Sequence, residues 1–220
     1  SDLSPEMSLL STLAGLPAAG VYAAVAGLVG VESIGIPVPG ETGLITAALI
    51  TTHPAARVTL LGVFLAAWAG AVIGDNIGYA AGRRYGPRLF THLGERFPHQ
   101  FSPAHVAYAG HLFQRHGAST VFIARFVALL RMLAGPLAGS LHLAYPRFLL
   151  ANVAGGAAWA GGITALVGLL GAAAHRWATG VGWVLLVVVA LIALVSSRRL
   201  HRAFERRVAE FAREQEQHPT

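Results

Sequence analysis

The sequence predicts an all-α integral membrane fold, an inverted repeat of two re-entrant helical hairpins plus transmembrane helices. Three observations predict it. Of 220 residues, 55% are hydrophobic and 12% are charged, with a mean hydropathy of +0.58; ordinary soluble domains carry roughly 25% charge. Several long stretches hold no formal charge at all. Two segments broken by proline or glycine carry charges within apolar surroundings. This composition excludes an ordinary cytosolic enzyme and a disordered chain. The net charge is +6 and the pI about 10.7, yet no nucleic-acid partner is expected. The basic residues lie largely outside the apolar runs, where membrane topology accounts for them. All 16 are Arg. Cysteine is absent, which removes disulfides, thiolate nucleophiles and cysteine metal sites.

The charge-free runs set the elements in order. Met7–Val31 has 25 residues, Thr42–Ala56 15, Val58–Gly74 17, Met132–Pro146 15, Phe148–His175 28 and Trp177–Ser197 21. A spanning helix needs about 20 apolar residues. The first run and the last two therefore suffice alone, and Val58–Gly74 suffices if it continues through Asp75 to Ala81. The two shorter runs adjoin charge and proline and are expected as half-membrane segments. The first residues carry Asp2 and Glu6 and no Arg, which does not fit a secretory signal.

Charge placement then orients the chain. A membrane domain over 1–197 would hold hairpins at about 32–56 and 117–145, with a cytoplasmic amphipathic loop at about 83–116. Residues 198–220 form a basic cytoplasmic tail. With both termini inside, twelve Arg fall inside (Arg83, Arg84, Arg88, Arg96, Arg115, Arg147 and six in the tail). Only Arg57 and Arg176 fall outside, and Arg125 and Arg131 stay within the membrane. That asymmetry matches the positive-inside tendency. Making both hairpins full spans would instead put charges at mid-membrane in segments too short to cross comfortably.

The first hairpin centres on Val31-Glu32-Ser33-Ile34-Gly35-Ile36-Pro37-Val38-Pro39-Gly40-Glu41-Thr42-Gly43. Pro37 and Pro39 lack N–H groups, and Val38 is driven extended by the proline that follows it. Gly40 permits a reversal. Thr42 is expected to cap a helix over 43–52, with Glu41 near its positive end. Backbone freed by such a break must be buried in protein or line a wet cavity. Glu32 and Glu41 flank the break. A charge at mid-span costs about 2.5–3.5 kcal/mol on insertion scales, so the pair is a functional candidate; the bland alternative is two interfacial acids bracketing a loop.

In the second hairpin, Arg125 and Arg131 lie six residues apart. On an ideal helix this is about 600°, so they do not share a face. Either the helix is distorted between them or they meet different partners. Gly135-Pro136 is expected to supply the break, and Gly139 a close backbone approach. The acids of the first hairpin are the obvious counter-ions. The Arg pair could equally hold a phosphate, which guanidinium matches in a bidentate fork, or form a permanent salt bridge locking the hairpins. Asp75 stands in a run where Gly74, Gly78 and Gly82 give one smooth helix face. It could relay a proton, pair with an Arg of the second hairpin, or cap at the interface.

These patterns resemble the DedA family, the bacterial branch of the SNARE-associated Golgi protein (VTT-domain) superfamily. The matching residues are Glu32-x4-Pro37-x-Pro39-Gly40-Glu41, Gly74-Asp75-x2-Gly78-Tyr79-x2-Gly82-Arg83 and Phe122-x2-Arg125-Phe126-x4-Arg131. Gly135-Pro136-x2-Gly139 and Phe148-x3-Asn152-x2-Gly155-x3-Trp159 complete them. The match runs in order over Leu16–Leu170. The resemblance implies a multi-pass bacterial inner-membrane protein with opposed re-entrant hairpins. It implies movement of lipids between leaflets, notably a polyprenyl (undecaprenyl or decaprenyl) phosphate, linked to the proton motive force. It also implies that Glu32, Glu41, Arg125 and Arg131 are required, with Asp75 carried over less directly. No cofactor follows from it.

The physics is coherent with that expectation. A phosphate headgroup crosses about 30 Å of hydrocarbon only along a polar path. Arg125 and Arg131 would receive it, and a protonated Glu32 or Glu41 would release its Arg to the lipid. The alternatives are a polyprenyl-pyrophosphate phosphatase, a phospholipid scramblase and a proton-coupled small-solute transporter. A phosphatase wants a nucleophile or activated water beside several phosphate ligands, and Pro39-Gly40-Glu41-Thr42 offers one acid without a clustered Ser/Arg set. Transport is therefore expected rather than enzymatic chemistry. The histidines between Arg83 and His116 lack an acidic partner in a metal-ligand spacing, so no metal site is expected.

Overall fold

A computed structural model of the chain describes residues 17–53, 56–98, 102–176, 199, 202–210 and 213. All regular structure among them is helical. The helices are α1 (Ala18–Ile34), α2 (Gly40–Ile50), α3 (Leu60–Tyr85), α4 (Pro87–Arg96), α5 (Pro103–His116), α6 (Ala118–Ala124), α7 (Ala128–Ser140) and α8 (Tyr145–Arg176). Residues 202–210 are also helical. Two stretches, Leu60–Tyr85 and Tyr145–Leu170, are long and apolar enough to cross a membrane, at 26 residues each. At 1.5 Å per residue each is about 39 Å long, against about 30 Å of hydrocarbon. The expected span Trp177–Ser197 and the start of the run Met7–Val31 lie outside the described residues.

The central helix is α3, and its small residues explain why. Gly70, Gly74, Gly78 and Gly82 recur every four residues and form one stripe. A Cβ on Gly70 or Gly74 would strike the α1 backbone at Ala26 and Gly30. One on Gly78 or Gly82 would strike Pro136 of α7. The stripe thus seats α1 on its first half and α7 on its second. Reciprocal glycines face back: Gly135 lies against the Asp75 backbone and Gly139 against Tyr79 and Arg83. Close backbone approach of this kind replaces the missing hydrophobic drive between helices in an apolar medium.

Direction follows from these contacts. Along α1, Tyr22 meets Thr59 and Gly62, while Gly30 meets Gly70 and Gly74, so α1 runs parallel to α3. Its far end is at mid-α3. Helix α7 also runs parallel to α3, but from mid-length toward Tyr85. Helix α8 is antiparallel: the indole N–H of Trp68 donates to the Val153 carbonyl at 3.0 Å, Gly161 faces Phe64 and Gly168 faces Leu60. Thr59 caps α3 by accepting from the Gly62 N–H at 3.1 Å.

Two helix–break–helix units result, α1–α2 and α6–α7, each followed later by a long helix. They approach α3 from opposite ends and meet near its middle. Each has its own core. Val25, Val29, Leu44, Ala48, Val63 and Ala67 pack the first. Val121, Leu133, Leu137 and Phe148 pack the second, with Phe113 of α5 and Phe204 and Val208 of the tail. The segment expected as a loop holds the helices α4 and α5, and Phe90 and Leu93 of α4 turn inward onto this second core.

Several expectations need correction. The first broken unit spans 18–50 rather than about 32–56, because the charge-free run Met7–Val31 contains its first arm. The reversal there is made by Gly35, at φ 115° in the left-handed region, and not by Gly40. Gly40 opens α2 instead, and a Cβ there would meet the Glu32 carboxylate and the α1 backbone. Thr42 caps nothing, since α2 begins before it. Gly135 and Pro136 do not break the second unit. They sit inside α7, with Pro136 fully buried against Gly78. The break falls at residues 125–127, and the later reversal uses His142 at φ 54°.

Candidate functional site

The tips of the two broken units bring the charged candidates together in two adjoining clusters. Glu32 is in the last turn of α1 and Glu41 in the first turn of α2, held near each other by the Gly35–Pro39 break. Glu41 lies at the positive end of α2, as expected. Arg131 is in the first turn of α7. One terminal nitrogen, Nη2, bridges both acids: it donates to Glu32 Oε1 at 2.6 Å and to Glu41 Oε2 at 3.3 Å. The Arg131 guanidinium also lies over the Trp159 indole, 4.5 Å from the ring centroid, a favourable cation–π geometry. The Arg131 and Glu32 side chains are 4% and 9% exposed, whereas Glu41 is 49% exposed.

The second cluster is wholly buried. Arg125 and Asp75 side chains are both 0% exposed, and Arg125 Nη2 donates to Asp75 Oδ2 at 2.5 Å. The same nitrogen donates to the Asn152 side-chain oxygen and, at 3.2 Å, to the Ala71 carbonyl. Gly155 makes room: a Cβ there would lie 3.0 Å from Arg125 Cγ. Among the described residues, four buried side-chain atoms have no hydrogen-bond partner: Glu32 Oε2, Asp75 Oδ1, Arg125 Nε and Arg125 Nη1. Buried polar atoms are otherwise almost always satisfied, so this concentration marks the tips as unusual. Arg131 and Glu32 lie within electrostatic reach of the buried pair. The clusters therefore act as one array of three acids and two arginines.

The chain breaks between the arginines without proline or glycine. Arg125, Phe126 and Val127 form tight turns onto Phe122, Ile123 and Ala124 at 3.3, 3.1 and 3.1 Å, and Val127 turns extended. The six-residue spacing left two alternatives, a distorted helix or different partners, and both occur here. The first-hairpin acids engage Arg131 alone; Arg125 belongs to Asp75. Pro37 and Pro39 lie within the first break, between Ile34 and Gly40. Gly135, Pro136 and Gly139 hold α7 against α3 rather than turning it.

Asn152 and Trp159 were given no chemical role by the sequence reading. A signal existed. Seven residues apart, they share one face of α8 with Gly155, and an asparagine in a 28-residue charge-free run requires a buried partner. Among the described residues no three His, Cys, Asp or Glu side chains converge to hold a metal.

Comparison with known proteins places the chain in a family. The VTT domain matches residues 38–169. An uncharacterized membrane protein of Mycobacterium tuberculosis (strain ATCC 25618 / H37Rv) is 48% identical over 208 residues, covering 94% of this chain and 95% of the relative. One of Mycobacterium leprae is 48% identical over the same length, covering 94% and 97%. One of Synechocystis is 36% identical over 189 residues, covering 84% and 85%. No solved structure matches. On this domain match and these full-length similarities, the chain belongs to the VTT-domain (DedA) family of membrane proteins.

Proposed function

We propose that this protein is a lipid translocase that moves a polyprenyl phosphate carrier between membrane leaflets, coupled to protons. The observation that carries the reading is the clamp on Arg131, one guanidinium shared by a buried and a half-exposed acid and backed by an indole. Carboxylate and phosphate compete for the same donors. Protonating one acid withdraws its charge from Arg131 and leaves N–H groups for a phosphate. Deprotonation restores the clamp and expels the headgroup. Glu32, Glu41 and Asp75 with Arg125 and Arg131 sum to one net negative charge when all are ionised, so a single proton neutralises the array. Burying net charge is strongly unfavourable, which makes one-proton coupling the economical cycle.

The opposed geometry supports two re-entrant hairpins. In this reading α1–α2 dips from the outer face and α6–α7 from the cytoplasmic face, with the tips at mid-depth beside Asp75. Because α1 runs parallel to α3, this reading puts residue 17 on the outer side with Thr59. Arg125–Asp75 is the fixed anchor and Arg131 the exchanging group.

The test is translocation of a fluorescent polyprenyl phosphate in proteoliposomes, with and without a pH gradient and beside a phospholipid probe. Wild type should accelerate carrier exchange in the gradient. Arg131→Ala and Glu41→Gln should insert normally and lose this acceleration. Full activity of Glu41→Gln removes that acid from the cycle, and release of inorganic phosphate from a polyprenyl diphosphate would replace the reading with a phosphatase.

A further inference from the structure

Away from the clamp, a second basic cleft lies at the C-terminal end of α3. It is an open space of about 550 Å³ lined by Asn76, Tyr79, Ala80, Arg83, Arg84 and Tyr145. Asp75 is about 15 Å from the end of α3 at Tyr85. Arg83 and Arg84 stand in the last turn of a helix about 9 Å longer than the hydrocarbon is thick, which puts them at headgroup level. Among the described residues neither has an acidic partner. Basic residues there complement the helix dipole, but that role would not need a cleft or an ordered wall.

The wall is ordered. Arg83 Nη1 donates to the Tyr79 hydroxyl at 3.1 Å, and that hydroxyl donates to the Leu143 carbonyl at 2.6 Å. The guanidinium is thus held by one nitrogen. Tyr79 stacks on Phe148 at 4.5 Å and tilts against Tyr145 at 5.5 Å. The Tyr145 hydroxyl donates to Asn76 Oδ1 at 3.0 Å. From Asn76 a polar path leads inward: its Nδ2 donates to the Val72 carbonyl at 2.7 Å, which also accepts from Asn152 Nδ2 at 3.3 Å. Asn152 is the side chain that receives Arg125.

We propose that this cleft binds a phosphate group, with Arg83 and Arg84 as its cationic jaws and the Tyr145 hydroxyl holding Asn76 in place in its wall. Two guanidinium groups beside an aromatic floor suit a phosphomonoester better than a zwitterionic headgroup. The ligand is either a lipid phosphomonoester or free phosphate.

The full chain in phosphatidylcholine nanodiscs tests this, titrated with phosphatidic acid in the bilayer or with inorganic phosphate in solution. Native mass spectrometry reads retained lipid and phosphorus NMR line broadening reads free phosphate. Arg84→Gln alone, and Arg83→Gln with Arg84→Gln, should weaken binding by about ten-fold or more, or about 1.4 kcal/mol. Arg88→Gln, an equal charge loss on exposed α4, should change it by less than about two-fold. Tyr145→Phe, which keeps the ring, should also weaken it. Retention of phosphatidic acid without broadening of inorganic phosphate assigns a lipid site, and broadening assigns a free-phosphate site. Unchanged binding in the double variant, or equal weakening by Arg88→Gln, overturns the proposal. The readout is binding and not transport, so this site and the translocase reading fail separately.

Discussion

Arg125 and Arg131 carry the same charge six positions apart, and the protein surrounds them in opposite ways. Arg125 is sealed with one acid. Removing that acid leaves a buried uncompensated cation, which costs about 3–5 kcal/mol. Asp75→Asn should therefore lower unfolding stability in detergent by that order, and Asp75→Asn combined with Arg125→Gln should recover part of the loss. Additive losses in the double variant would show that the two do not act as a pair. Arg131 shares its charge between Glu32 and a half-exposed Glu41. An exposed ion pair contributes about 1 kcal/mol or less, so Glu41→Gln should leave the same unfolding measurement within that margin while transport falls. The charged residues were legible in the sequence because each interrupts an apolar run. Their pairing was legible only in part. Spacing excluded a common face for the two arginines, but which acid took which arginine depended on a turn at Phe126 that carries no local signal. Asn152 and Trp159 were readable as a helix face, though only their partners gave that face a meaning.

Glycine placement decides how the elements meet. Gly139 stands where α7 meets the α3 backbone, and Gly78 where the Pro136 ring of α7 lies against α3. Gly78→Leu and Gly139→Leu should each separate these helices, lowering stability by several kcal/mol (about 1–3 for overpacking, with more where backbone cannot shift) and increasing protease sensitivity between 125 and 143. Gly27, with nothing within 4 Å of a Cβ, is the control: Gly27→Ala should be neutral or stabilising by about 1 kcal/mol. Thermal unfolding of the three variants side by side checks both. The first break was readable because Pro37 and Pro39 forbid helix. The second was misplaced for the same reason in reverse. Gly135-Pro136 looks like a breaker, yet α7 continues through it, and the flat proline surface fills the stripe beside Gly78 and Gly82. Local propensity yields to packing there.

At the scale of the molecule, two broken units approach one central helix from opposite ends. Layout alone suggested this arrangement, since the order of broken pair and long helix occurs twice. Charge asymmetry gave an expectation for orientation that labelling can test, and the first arm was hidden because most of it lies in a charge-free apolar run. The cysteine-free chain makes the orientation directly measurable. In intact cells, a membrane-impermeant maleimide should label His53→Cys and Arg57→Cys, while Arg88→Cys and Arg202→Cys should react only after permeabilisation. Labelling of all four from outside would remove the opposed-hairpin reading.

Where the tips meet, α1 ends and α7 begins, and one guanidinium of α7 touches a carboxylate from each arm of the first unit. In the proposed cycle the moving part is therefore no larger than one side chain: Arg131 turning from its carboxylates toward a phosphate would remake that junction with every helix axis left in place.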